Sequence, residues 1–199
     1  MRFVTAAIAF KSTILQLDAG SIKDIDYGTN TRDQNMSLTF GVIEQNVTIK
    51  FYDRNKVVYG LFERKQDTKA TLVIREYEDG ELVDTDDYKV SDIEINEEGD
   101  QVTVRGVDAT SILDTIDIGK NLIEDRSVHD LLTIFFSKLP ETYTWDYFDD
   151  ETSKMCHDIV AYSNWYRDDT LRNFLDKVCV LGLLRIYYKN GVFHVTRCI

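Results

Sequence analysis

The sequence has one proline and ten glycines in 199 residues, which leaves no proline-rich linker, no collagen-like period and no low-complexity tract. A chain of this kind is expected to be compact throughout. Long apolar runs are missing as well. Nothing approaches the ~18 residues a helix needs to span a bilayer. The opening Met1-Arg-Phe-Val-Thr-Ala-Ala-Ile-Ala-Phe-Lys11 has too little positive charge and no convincing cleavage site for a signal peptide, and reads as a first strand. Cysteine is scarce: Cys156, Cys179 and Cys198 form no CxxC pair, and an odd count suits a reducing compartment where thiols act as small hydrophobes. Positive charge is the remaining deficit. With 23 Lys and Arg against 35 Asp and Glu, the net charge is −12, and the basic residues are interleaved with carboxylates. Phosphate binding takes clustered cations, so specific nucleic-acid binding is not expected, nor is attachment to an anionic membrane or insertion into one.

Catalytic signatures are absent too. There is no Gly-x-Ser-x-Gly, no Gly-x-Gly-x-x-Gly and no Walker-type run, and there are only three histidines. Cys156 and His157 adjoin, but neighbours on a strand point to opposite faces, so one is expected buried and the other exposed. His129, His157 and His194 lack zinc-type spacing. The acidic stretches Asp84-Thr-Asp-Asp87 and Asp149-Asp-Glu151 do not follow the calcium-loop pattern and read as solvated loops, while 35 acids offer too many pairs to single out a glycosidase dyad. No catalytic, cofactor-binding or metal-ligating residue is assigned, and no enzyme activity is expected. An aromatic group, Tyr143, Trp145, Tyr147, Phe148, Tyr162, Trp165 and Tyr166, suits core packing and a protein interface, or a platform for sugar rings.

What the chain does carry is structural patterning. Phe3–Phe10, Ser12–Leu17, Gln45–Tyr52 and Thr71–Tyr77 are rich in β-branched and aromatic residues, and no helical period is evident among them. Asp79-Gly80 signals a hairpin into Glu81–Val83, and Asn96-Glu-Glu-Gly-Asp100 a longer turn between Tyr88–Ile95 and Gln101–Val107. A short helical turn is expected over Asp108–Asp114. Ser127, with Asp130 three residues on, caps an apolar stripe through Val128, Leu131, Leu132, Phe135 and Leu139 that Pro140 stops. Thr142–Ser163 shows no clear period, although Asp158–Tyr162 fits a short strand. Asp168 or Asp169 is the expected cap of a helix carrying Leu171, Phe174, Leu175, Val178 and Leu181, with Gly182 as its stop. Asn190-Gly191 then turns a hairpin between Leu183–Tyr188 and Val192–Thr196, whose last strand is expected to lie uncovered. The fold class is α+β: a strand-rich, antiparallel, β-barrel-like domain over residues 1–119, then a smaller α+β domain over residues 120–199 with two amphipathic helices and a terminal β-hairpin.

Several of these segments, in order, carry a resemblance. Gln45-Asn-Val-Thr-Ile-Lys-Phe-Tyr-Asp-Arg-Asn55, Asp87–Ile95, Val102–Leu113, Asp158–Leu175, Gly182 and Lys189-Asn-Gly-Val-Phe-His-Val195 resemble the N-terminal part of tail hub and baseplate proteins of phages of Gram-positive bacteria. The family is related in architecture to the hub of contractile tails. The resemblance implies a structural virion protein at the tail tip, assembled in the host cytoplasm as a ring-forming homo-oligomer with other phage tail and baseplate proteins around the DNA exit channel. It implies no catalytic residue and no cofactor. Family members are longer, so the remaining hub domains are expected as further sequence or on another chain. Two functional expectations accompany it: carboxylates lining the channel would repel DNA, and the alternative role is a carbohydrate- or receptor-binding module recognising the bacterial cell wall.

Overall fold

The computed structural model describes residues 1–30, 40–63, 69–119, 125–161 and 170–198. They form two compact units, Met1–Gly28 with Gln45–Ala109, and Thr29–Glu44 with Thr110–Ile199. The division is discontinuous where the sequence suggests a single boundary at 119, because the stretch from Thr29 to Glu44 groups with the second unit.

Strands β1 (Arg2–Phe10), β2 (Ile14–Leu17) and β3 (Ile22–Asn30) are followed by a two-residue β4 (Gly41–Val42), β5 (Glu44–Tyr52), helix α1 (Val57–Glu63), and strands β6 (Ala70–Glu78), β7 (Glu81–Ile95) and β8 (Gln101–Val107). All but β4 make a seven-stranded sheet in the order β2-β1-β6-β7-β8-β5-β3. The expected strands are there, yet the barrel does not close: among the described residues β2 and β3 stand at opposite edges of the sheet. Alternation and turn residues specify strands and their neighbours, whereas closure depends on tilt and stagger that no local pattern records.

Strands β5 and β8 have a dry face and a wetter one. Val47, Ile49 and Phe51 on β5 and Val102 and Val104 on β8 are buried, while Lys50 between Ile49 and Phe51 and Arg105 after Val104 are exposed. Helix α1 adds Val58 and Leu61 to that core. Only two of its seven residues are buried, too few to show a period in the sequence. Buried Asp53 starts the helix, its carboxylate accepting the N–H groups of Val57 at 2.9 Å and Val58 at 2.7 Å. Asp79 (φ 50°) and Gly80 (φ 89°) make the expected tight turn from β6 to β7. Strand β7 is continuous across the two expected pieces, and its register against β8 shifts between Val90 and Asp92, which leaves Ser91 as the extra residue of a bulge.

The second unit continues from a 3₁₀ helix (Ala109–Asp114) through β9 (Arg126–Ser127), α2 (Val128–Phe136), β10 (Thr144–Tyr147), α3 (Asp150–Asp158), β11 (Val160–Ala161), α4 (Leu171–Gly182), β12 (Leu184–Lys189) and β13 (Val192–Arg197). Its main sheet has the order β10-β13-β12-β4. Strands β12 and β13 form the expected hairpin, with Asn190 (φ 51°) and Gly191 (φ 85°) in the left-handed region. The last strand is not left uncovered: β10 pairs with it in parallel from Thr144 opposite Val192 to Tyr147 opposite Val195. That strand and α3 both lie in the segment that shows no period, because each is short and α3 buries only Thr152 and Cys156.

Ser127 caps α2 as expected. Its hydroxyl accepts the Asp130 N–H at 3.0 Å and the Asp130 carboxylate accepts the Ser127 N–H at 3.3 Å, a reciprocal capping box. Ser127→Ala is expected to cost about 1 kcal/mol, read as a lower denaturation midpoint by tryptophan fluorescence. The helix ends at Phe136, one turn before Pro140. Helix α4 differs in both caps. Thr170 is its N-cap, with Oγ1 accepting the Asn173 N–H at 3.3 Å, and Asp168 and Asp169 lie outside the described residues. Gly182 is the helix's last residue, and the left-handed position falls on Leu183 (φ 53°). A glycine is needed at 182 for close packing instead: a Cβ there would stand 2.8 Å from Leu184 Cδ1 and 3.4 Å from Val128 Cγ1.

Candidate functional site

The buried polar centre of the second unit is Arg172, in the first turn of α4 and 2% exposed. Its Nε donates to Asp114 Oδ2 at 3.0 Å, and its Nη2 donates to Glu44 Oε2 at 3.1 Å, the Thr110 carbonyl at 2.8 Å and Thr110 Oγ1 at 3.2 Å. One planar guanidinium thus joins the start of β5, the 3₁₀ helix and α4. Sequence reading missed it. The available signal is spacing, since Arg172, Leu175 and Cys179 recur at i, i+3 and i+7 on the face that the helix buries.

A second cluster links α2, β10 and α3. His129 Nδ1 and the Tyr147 hydroxyl are 2.9 Å apart, and the imidazole stacks on that of His157 with ring centroids 3.8 Å apart. Burial first, and then the neighbouring His157, push His129 below its ordinary value of 6.5. Burial pushes the Tyr147 hydroxyl up and the Cys156 thiol up to about 11. Burial thus disfavours the thiolate form of Cys156. It is buried and His157 exposed as expected, but on a helix and not a strand, and His157 turns its ring to His129. Cys179 is buried in α4 as the sequence suggests.

The aromatic group is largely internal packing. Trp145 lies against Phe136 with centroids 5.1 Å apart, and Tyr143 meets the ring edges of Tyr188 and Phe193. Phe148 is exposed, and Tyr162, Trp165 and Tyr166 lie outside the described residues. Neither acidic stretch is a free loop. Asp84–Asp87 lies within β7. Asp149 caps α3 by accepting the Thr152 N–H at 2.6 Å, and Glu151 pairs with Arg197. Among the described residues no three His, Cys, Asp or Glu side chains converge as metal ligands, and no helix is long and apolar enough to cross a membrane.

The first unit has two further surface features. Strands β2 and β3 end the sheet with unpaired edges among the described residues. The wet face carries Asp24, Asp26 and Glu94 together with Lys50 and Arg105, and Arg105 Nη1 donates to Asp92 Oδ2 at 2.5 Å and Glu94 Oε1 at 2.7 Å. The face is mixed in charge and not uniformly negative.

No protein-family model and no curated protein matches the chain. Solved structures do. The prophage tail protein gp18 of Listeria monocytogenes EGD-e superposes over 98% of this chain with a TM-score of 0.61 at 11% identity. The fold is shared with phage tail proteins. A tail protein of Neisseria meningitidis MC58 covers 97% of the chain (TM-score 0.54, 10% identity), and a chain of the Francisella PdpA–VgrG complex covers all of it (TM-score 0.53, 11% identity). The tail-protein fold found here spans 50% of the Listeria and Neisseria chains and 32% of the Francisella one. These organisms do not single out one class of host.

Proposed function

We propose that this chain is a structural component of a phage tail tip or baseplate hub, assembling with other tail proteins as a ring around the DNA exit channel of the virion. The observation that carries this reading is the superposition of 98% of the chain on a prophage tail protein despite 11% identity. The edges of the seven-stranded sheet, unpaired among the described residues, support it, since an unpaired strand edge is a template for a neighbouring subunit and a head-to-tail contact can close a ring. Such a role uses interfaces and needs no catalytic residue. It places the protein in the virion after assembly in the host cytoplasm.

Size-exclusion chromatography with light scattering, on the chain alone and with purified tail partners, tests the proposal. The expected result is a species larger than a monomer. A strict monomer at high concentration under every condition overturns it.

A further inference from the structure

The tail role leaves unexplained why two histidines meet face to face where α2 and α3 pack. His129 on α2 and His157 on α3 stack at 3.8 Å with their planes 27° apart, and Tyr147 on β10 holds the His129 Nδ1 edge. We propose that this imidazole pair is an acid-sensitive latch between α2 and α3, closed while both rings are neutral and released once both are protonated. Neutral rings at this distance stack favourably. Two imidazolium ions would repel with little to oppose them.

The surroundings supply few counter-charges. On α2, Asp130 attracts a charged His129, but its carboxylate also serves the capping box with Ser127. On β10, the Tyr147 hydroxyl is held neutral by burial, and on α3 so is the Cys156 thiol. Arg126 on β9 acts on Asp130. Glu151 on α3 is matched by Arg197 on β13, and His194 on β13 stacks on Tyr187 of β12. Asp158 follows His157 at the end of α3. The lowered His129 value gives the sign. A histidine depressed in the folded state contributes stability above its unfolded value near 6.5, and that contribution is lost as pH falls through the folded value. The latch is therefore closed at neutral pH and opens in acid.

Amide hydrogen exchange and imidazole titration by NMR on the full chain test this. Between pH 7.5 and pH 5, protection of α3 amides, corrected for intrinsic exchange, is expected to fall about fivefold while that of α4 holds, the scale of one partly exposed like-charge pair. Exposed His157 tolerates substitution, so His157→Gln should fold, abolish the fall and move the His129 titration up toward its ordinary value. His129→Gln should abolish the fall as well. An unmoved His129 titration in His157→Gln, or an equal loss of α3 protection in either variant, overturns the latch.

Discussion

Replacing Arg172 by alanine is expected to destabilise the second unit by about 3–5 kcal/mol. Removing the guanidinium takes the cation away from Asp114 and Glu44, each about one-fifth exposed, and strips the Thr110 carbonyl and hydroxyl of their shared donor. Arg172→Lys should lose less, because one ammonium keeps the charge but cannot present the planar fork that reaches the three partners from two nitrogens. Combining Arg172→Met with Asp114→Asn and Glu44→Gln should recover part of the loss, since a buried ionic group replaced as a set no longer strands a charge. Both tryptophans of the chain, Trp145 and Trp165, belong to the second unit, so fluorescence-detected guanidinium unfolding reports that unit alone. A loss below about 1 kcal/mol for Arg172→Ala would show that the network is not what joins these segments.

Phe193→Ala is expected to have a comparable effect, about 3–5 kcal/mol, for a different reason. The ring is fully buried in the central strand β13 and meets Phe136, Tyr143 and Tyr188 with centroids 5.8, 5.9 and 5.4 Å away. Truncation opens a cavity that the neighbouring aromatic rings, themselves packed on one another, are poorly placed to fill. Phe193→Leu preserves most of the volume and should cost less than about 1.5 kcal/mol. The same fluorescence assay separates the two, and equal losses for both variants would point to the ring geometry and not to volume.

Local rules were legible where the chain announces them. Asn190-Gly191, Asp79-Gly80 and Ser127 with Asp130 each encode a turn or cap within four residues, and each forms in the structure. Signals spread over distance were not. Helices α1 and α3 bury two residues each, so no period emerges, and β4 has only two residues. The strand-rich antiparallel sheet is legible in the sequence, whereas whether its outermost strands pair leaves no mark on either one. Arg172 reads as an ordinary helix cation until Glu44 and Asp114 are brought to it from distant parts of the chain. His129 and His157 lie 28 positions apart in sequence, and their stacking follows from α2 and α3 packing together, which neither helix encodes alone.

The two-residue strand β4 sets an order of folding. Gly41 and Val42 pair with Arg185 and Ile186, and the Val42 N–H donates to the Asp176 carboxylate across a separation of 134 residues. Every strand of the first unit has been synthesised once β8 is complete, whereas the partners of Gly41 and Val42 exist only after α4 and β12 have been made. At roughly 5–20 residues per second, that wait is on the order of ten seconds. During synthesis the strands of the first unit are thus complete while Gly41 and Val42 still lack their partners, and any ribosomal pause before α4 would lengthen the time that these two residues are open to pairing with the wrong chain.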